Sequence, residues 1–301
     1  MTFDIIVLGH LTHDIVITPD RIAHRALGGV ATYTSLAAAR LGATVGIVTK
    51  VGADFMEDYL DYLRGAGIDL SGLRVRAGKT TTFENAYDES GRRTQRILSS
   101  AGVIEVKDVP GAYFDAKCFH FGPVFHEVSR DLIRLAHEGG ILTSLDPQGY
   151  CRERGADNVI SLRRWRGAEE ALPYVDILKC DEDEAAKIAG VSDLGKAAEL
   201  ISGLGPRIVL ITRGRRGSVL YYKGKLKRIP TVPEERFVDS TGAGDAYAAG
   251  FIVEYLRTGK PELSAFFASC VASFVVEGIG ATTLPTRDMV MRRLRAFLGE
   301  A

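Results

Sequence analysis

The sequence lacks the features that would tie it to a membrane, a polyanion or an oxidising compartment. No apolar run approaches the roughly 18 residues that a membrane-spanning helix requires. Net charge is absent: 38 basic residues offset 38 acidic ones, so no global field draws the chain to nucleic acid or to anionic lipid. The few cysteines, Cys118, Cys151, Cys180 and Cys270, are scattered and form no Cys-x-x-Cys pair. That argues against a zinc site and fits reduced thiols in the cytoplasm. The opening Met1-Thr2-Phe3-Asp4-Ile5-Ile6-Val7 has no basic leader and reads as a first strand rather than a signal peptide. Low-complexity tracts and fixed-period repeats are missing too, which removes linker-rich and solenoid architectures. What remains is ordinary globular composition, 46% hydrophobic and 25% charged over 301 residues. That length suits one large α/β domain with a small accessory element.

Apolar runs alternate with amphipathic patterns along most of the chain. Strands are expected at Ile5–Gly9, Val45–Val51, Cys118–Phe121, Ile141–Leu145, Val175–Leu178 and Ile208–Ile211. Helices are expected between them at Val30–Leu41, Phe55–Ala66, Ser129–His137, Glu182–Ala189 and Asp193–Leu204, and after Gly242 at Ala243–Leu256, Leu263–Val276 and Asp288–Leu298. Short apolar strands separated by helices predict a mostly parallel sheet covered on both faces. Residues 72–100 break this rhythm. Leu73–Arg76, Thr80–Tyr87, a turn at Asp88-Glu89-Ser90-Gly91 and Arg92–Leu98 suggest a hairpin, which with residues 12–20 would form a small β lid. Such a lid would exclude water from a site; an edge sheet with a structural or dimerising role is the plainer alternative.

The most informative segment is Val238-Asp239-Ser240-Thr241-Gly242-Ala243-Gly244-Asp245, followed by Tyr247, Phe251 and Tyr255 at helical spacing. A small-residue turn opening a helix exposes unpaired N–H groups and makes an anion site. A carboxylate inside it would repel a phosphate that merely bound there. It fits a base that takes a proton from an attacking hydroxyl beside a transferred phosphoryl group. For the short Gly-x-Gly-Asp alone, a helix cap with Asp245 complementing the dipole is the simpler explanation.

The full segment resembles the C-terminal signature of the PfkB, or ribokinase-like, carbohydrate kinases. Gly28-Gly29-Val30-Ala31-Thr32-Tyr33 resembles that family's glycine pair and first helix, and Gly9 to Asp14 its first strand and substrate aspartate. Thr212-Arg213-Gly214-Arg215-Arg216-Gly217 resembles the nucleotide loop, and Gly280-Ala281-Thr282-Thr283 the loop beside the nucleotide base. The resemblance covers nearly the whole chain. It implies an ATP-dependent kinase with Asp245 as base and the backbone of Gly242, Ala243 and Gly244 stabilising the γ-phosphoryl group. It also implies Asp14, Gly28, Gly29, Asn85 and Gln148 at the substrate, and Thr212, Gly214, Gly217 and Ala281 at ATP. The family's Asn-x-x-Glu stands here as Asp181-Glu182-Asp183-Glu184, which implies Mg2+ near Asp181 and Glu184, through water; a solvated acidic helix start is the alternative. Asp239 and Thr241 match positions that bind a monovalent cation such as K+ in some members, or Asp239 caps its turn. A homodimer through the lids is a further implication.

The acceptor is a sugar or polyol on this reading. Val30 and Tyr33 stand where ribokinase carries Lys and Asn, which argues against ribose. Thr80–Asn85 and Leu145–Arg152 resemble a subgroup that includes myo-inositol kinases, and Glu84, Asn85 and Gln148 would suit a cyclitol's hydroxyls. A nucleoside or sugar-phosphate kinase of the same family is the alternative, and a non-catalytic binding protein a more distant one. Arg152, Arg154, Arg163, Arg164 and Arg166 suggest a phosphate or nucleic-acid contact, but interleaved acids favour a solvated insertion. His10 and His13 lack a third ligand and read as cleft or packing residues. The Gly9 segment has no Gly-x-Gly-x-x-Gly turn, which disfavours a dinucleotide oxidoreductase.

Overall fold

The computed structural model describes residues 2–20, 22–90 and 92–299. Met1 of the expected first strand and Gly91 of the expected turn lie outside the described residues. The chain runs β1 (Ile5–Leu8), β2 (Thr12–Ile17), β3 (Ala23–Gly28), α1 (Val30–Arg40), β4 (Val45–Gly52), α2 (Glu57–Gly65), β5 (Asp69–Arg76), β6 (Thr82–Tyr87) and β7 (Arg93–Ser99). It continues through β8 (Cys118–Phe121), α3 (Arg130–Glu138), β9 (Leu142–Leu145), β10 (Arg152–Arg154), β11 (Ile160–Leu162), α4 (Ala168–Ala171), β12 (Ile177–Asp181), α5 (Glu182–Ala189), α6 (Leu194–Gly203) and β13 (Ile208–Thr212). Then follow β14 (Ser218–Tyr222), β15 (Lys225–Ile229), α7 (Ala243–Thr258), α8 (Pro261–Val275) and α9 (Arg287–Leu298).

A nine-stranded sheet in the order β15-β14-β13-β12-β9-β8-β1-β4-β5 forms the centre. The strands from β13 to β5 are parallel, and β14 and β15 add an antiparallel edge. The strands β1, β4 and β8 are buried along their whole length, as the continuous apolar runs required. One apolar cluster lies under α3, α5 and α6, and another under α1, α7, α8 and α9, so helices cover both faces. This is the mostly parallel α/β architecture that the alternating pattern predicted.

A second sheet, in the order β3-β2-β6-β7, stands beside the first. It contains the expected hairpin and the 12–17 strand, with two differences. Residues 73–76 belong to β5, which pairs parallel with β4 at the edge of the main sheet, so the lid range began too early. Strand β3 is an addition: its sequence, Ala-His-Arg-Ala-Leu-Gly, carries no alternating apolar pattern because most of it is exposed. Strand β3 ends at Gly28 and Gly29 leads directly into α1, so this edge of the small sheet and the helix that opens at the cleft are joined by one residue.

Candidate active site

In a parallel sheet the ligand crevice lies outside the carboxyl ends of the strands. Here those ends supply Asp146 after β9, Asp181 closing β12 and Thr212 closing β13. Opposite them stand α7, the start of α1 and the inner face of the small sheet. Together they enclose a cavity of about 590 Å³ lined by Asp14, Gly29, Tyr33, Phe83, Gln148, Arg152, Lys179, Asp181, Glu184, Gly242, Gly244 and Asp245, among others. A second cavity of about 480 Å³ is lined by Thr212, Gly214, Gly217, Val232, Pro233, Ala272 and Val276. The two share Thr212, Phe237, Ser240 and Gly244, so they meet at the amino end of α7.

Gly242 starts that helix with φ +78°, a left-handed conformation that a side chain resists. A Cβ there would also stand 2.4 Å from Tyr33 Cδ1. The Ala243 N–H donates to the Ser240 carbonyl at 3.1 Å, so of the three amides expected at the anion site this one is already engaged. Among the described residues no partner takes the Gly242 or Gly244 N–H. Gly242→Ala should therefore shift the turn against Tyr33 and cut kcat by about a hundredfold, the scale of losing an oxyanion donor. Steady-state kinetics check this, and a variant within threefold of wild type would show the turn to be incidental.

Asp245 sits at the cavity floor. Burial pushes its pKa up to about 7, Lys179 and Arg152 pull it down, and Asp146 and Asp14 push it up. Lys179 Nζ donates to Asp146 Oδ2 at 2.6 Å, and both side chains are buried. A Cβ on Gly244 would lie 3.0 Å from that Nζ, so the ammonium stands against the anion turn. Burial alone would depress Lys179, but the carboxylates of Asp146, Asp245 and Glu184 outweigh it and hold the pKa well above normal. Neither Lys179 nor Asp146 was singled out from sequence. The signal for Lys179 is a lysine inside the otherwise apolar strand Ile177-Leu178-Lys179-Cys180, because lysine is almost never buried without a partner.

Asp14 accepts from Thr12 Oγ1 at 2.8 Å and lies so close to Gly28 that a Cβ there would meet its carboxylate at 2.4 Å. Gly29, at φ +93°, brings the backbone against the His10 carbonyl. Gln148 lines the cavity and its Oε1 accepts from Arg152 Nη2 at 2.9 Å. Arg152 also donates to the Val124 carbonyl at 2.9 Å and lies 5.6 Å from the Phe83 ring centroid, so it belongs to the cavity and not to a solvated insertion. The remaining arginines of that cluster, Arg154, Arg163, Arg164 and Arg166, are exposed, and Trp165 is buried against Tyr150. Asn85 is buried behind the cavity wall, where its Oδ1 accepts from Gln95 Nε2 at 2.9 Å. Glu84 points to the other face of β6 and pairs with Arg96 at 2.9 Å, which removes it from the substrate side.

Asp181 and Glu184 cap α5 reciprocally: the Glu184 N–H donates to Asp181 Oδ1 at 2.8 Å and the Asp181 N–H to Glu184 Oε2 at 2.9 Å. Each bond uses one carboxylate oxygen. Burial and the neighbouring Asp146 and Asp181 charges push Glu184 up to about 8. Among the described residues no group of three or more His, Cys, Asp or Glu side chains could cage a metal. A Mg2+ carried by phosphates and touched by one or two carboxylates fits this arrangement. Asp239 Oδ1 accepts from Thr241 N at 3.0 Å and Thr241 Oγ1 at 2.9 Å, so it caps its turn as the plainer alternative had it. Thr212, Gly214 and Gly217 line the second cavity, whereas Ala281 packs against the apolar cluster under α8 and α9 and lines neither cavity. His10 bonds Thr81 Oγ1 at 2.7 Å and His13 stacks on Phe55, so both are packing residues.

A family model described as pfkB family carbohydrate kinase matches residues 2–287. The chain belongs to the pfkB family of carbohydrate kinases. The cytidine kinase of Thermococcus kodakarensis is 34% identical to this pfkB-family chain over 261 residues, covering 86% of it and 90% of the relative. The nucleoside kinase of Methanothermobacter thermautotrophicus is 29% identical over 312 residues, covering 98% and 97%. The fold matches that of Arabidopsis thaliana ribokinase, solved with ribose and ATP, at a TM-score of 0.81 and 21% identity, over 98% of this chain and 99% of that one. The protein is a phosphotransferase of a family that acts on alcohol groups of sugars and nucleosides. No helix among the described residues is long and apolar enough to cross a membrane.

Proposed function

We propose that this protein is an ATP-dependent nucleoside kinase that phosphorylates the primary hydroxyl of the ribose. The observation that carries the reading is the mixed polar and apolar lining of the cavity of about 590 Å³. Asp14 offers a carboxylate to a vicinal diol in the cavity that Asp245 and the anion turn also line. Phe83, which lies beside Asp14 across β2 and β6, together with Val124 and Tyr87 gives the same cavity apolar walls. A cyclitol is polar on every carbon and gains little from such walls, whereas a base stacks on them. With the 2′ and 3′ hydroxyls at Asp14, the remaining hydroxyl of a ribonucleoside turns toward Asp245. The first expectation from sequence, myo-inositol, is thus set behind the nucleoside alternative.

In the reaction, Asp245 accepts the hydroxyl proton as the acceptor oxygen bonds to the γ-phosphorus and the bond from that phosphorus to the ADP oxygen breaks. The free amides of Gly242 and Gly244, with the Lys179 ammonium, bind the negative charge spread over the transferring group. Val232, Pro233 and Val276 give the second cavity walls suited to the base of the nucleotide. Asp181 and Glu184 would hold Mg2+ beside the phosphates, where it supplies charge neutralisation.

ADP release measured with ATP, Mg2+ and a panel of cytidine, uridine, adenosine, ribose, sugar phosphates and myo-inositol tests this. A nucleoside should exceed ribose and myo-inositol in kcat/KM by at least about tenfold, the scale of one well-bound substrate group. Faster turnover of myo-inositol or a sugar phosphate than of every nucleoside would discard the acceptor while keeping the kinase.

A further inference from the structure

Side chains of paired residues on neighbouring strands share a face, and every second residue returns to it. The registers of the small sheet therefore stack its inner face in rows: Asp14 beside Phe83, then Val16 beside Asn85 and Gln95, then Tyr87 beside Arg93. One row further from Asp14 is a rise of roughly 6.6 Å along the strand. Measured from a ribose diol held at Asp14, that is where the far edge of a stacked base falls. The row there is not apolar. Gln95 lines the cavity, and its Nε2 donates to Oδ1 of Asn85, which is buried to 5% exposure.

The buried Asn85 amide and the half-buried Gln95 amide face each other, and their hydrogen bond fixes how they sit. The bond to Asn85 engages one N–H of the Gln95 amino group, and among the described residues no protein donor reaches Gln95 Oε1. That leaves a clamped carbonyl oxygen at the level of the base edge. We infer that the Asn85–Gln95 pair is the specificity element of this kinase, and that it selects a nucleoside whose base carries an exocyclic amino group. The inference rests on the nucleoside reading above. An amino group donates to the fixed Gln95 oxygen, as N4 of cytosine or N6 of adenine does, whereas a keto oxygen at the same place sets acceptor against acceptor. Gln95 stands one row away from Asp14, so it acts on base choice and not on phosphoryl transfer.

The test compares kcat/KM for cytidine and uridine, which differ at this edge, in wild type, Gln95→Leu and Gln95→Glu. Wild type should prefer cytidine. Gln95→Leu should lower the cytidine-to-uridine ratio about tenfold, the worth of a hydrogen bond left unmade, through KM more than kcat. Gln95→Glu keeps an acceptor oxygen toward the base and should retain the cytidine preference. Equal losses for both nucleosides in Gln95→Leu would mean that the pair only supports the sheet and would overturn the inference. A wild-type preference for uridine would overturn it as well, pointing instead to the donors of Arg93 in the next row. Turnover of myo-inositol or ribose with none of any nucleoside would remove the underlying reading along with it, an outcome visible before any variant is made.

Discussion

Asp245→Asn should lower kcat on the order of a thousandfold, within the range of a lost general base, while KM for ATP stays close to wild type. Asparagine matches the carboxylate in size and cannot accept the hydroxyl proton, so the substitution isolates that step. The half-buried position of Asp245 sharpens the prediction. Burial raises the carboxyl to about 7, so its proton affinity lies close to neutral pH, where a base transfers protons most effectively. The sign follows directly: below about pH 7 the group is protonated and idle, above it the group is free to act. Wild-type kcat/KM should therefore climb with pH through this region with the slope of one proton and level off above it. Asp245→Asn should lose that limb along with its activity. A wild-type profile that is flat between about pH 5.5 and 8, or an asparagine variant of near-normal rate, would remove Asp245 from the role of base.

Much of this arrangement was legible in the sequence, and the parts that were not share a physical cause. Continuous apolar strands lie in the sheet centre, where burial on both faces leaves one solution; Cys118–Phe121 has the expected bounds, and the others lie within three residues of theirs. The start of α7 was legible because its turn needs small residues, and Gly242 is held at positive φ against Tyr33. Strand β3 was not, because exposed edge residues carry no burial pattern. The same reason hid the change of sheet at β5, since local pattern does not say which neighbour a half-buried strand will pair with. Within the site, Asp14 and Asp245 stood out by motif, whereas Gln95 and Arg152 look like ordinary surface residues until the chain folds. Arg152 follows a buried turn at Gln148–Cys151 that aims it back at Phe83, and the spacing of its own arginine cluster gives no hint of that. Ala281, which the motif match places at the nucleotide, packs against the apolar cluster under α8 and α9.

Lys179→Met should fail in two separable ways. Asp146 is 1% exposed and its charge is answered by Lys179 at 2.6 Å, so removing the ammonium strands a buried carboxylate. Breaking a buried pair from one side costs about 3–5 kcal/mol, and the melting temperature should fall accordingly. The ammonium also faces Gly244, where the transferring phosphoryl group would gather charge, and its raised pKa keeps it cationic at any working pH. Losing it should cut kcat by about a hundredfold, as for other donors aimed at developing charge. A second variant separates the effects. Lys179→Met with Asp146→Leu replaces the pair by apolar side chains, which is often neutral or stabilising, so it should regain most of the stability. Its kcat should stay low, because the cation that faces the anion turn is still missing. Recovery of both stability and rate in the double variant would mean that the pair only holds β9 and β12 together. Recovery of stability alone would make Lys179 a working part of phosphoryl transfer, standing on a strand where a buried lysine has no other reason to be.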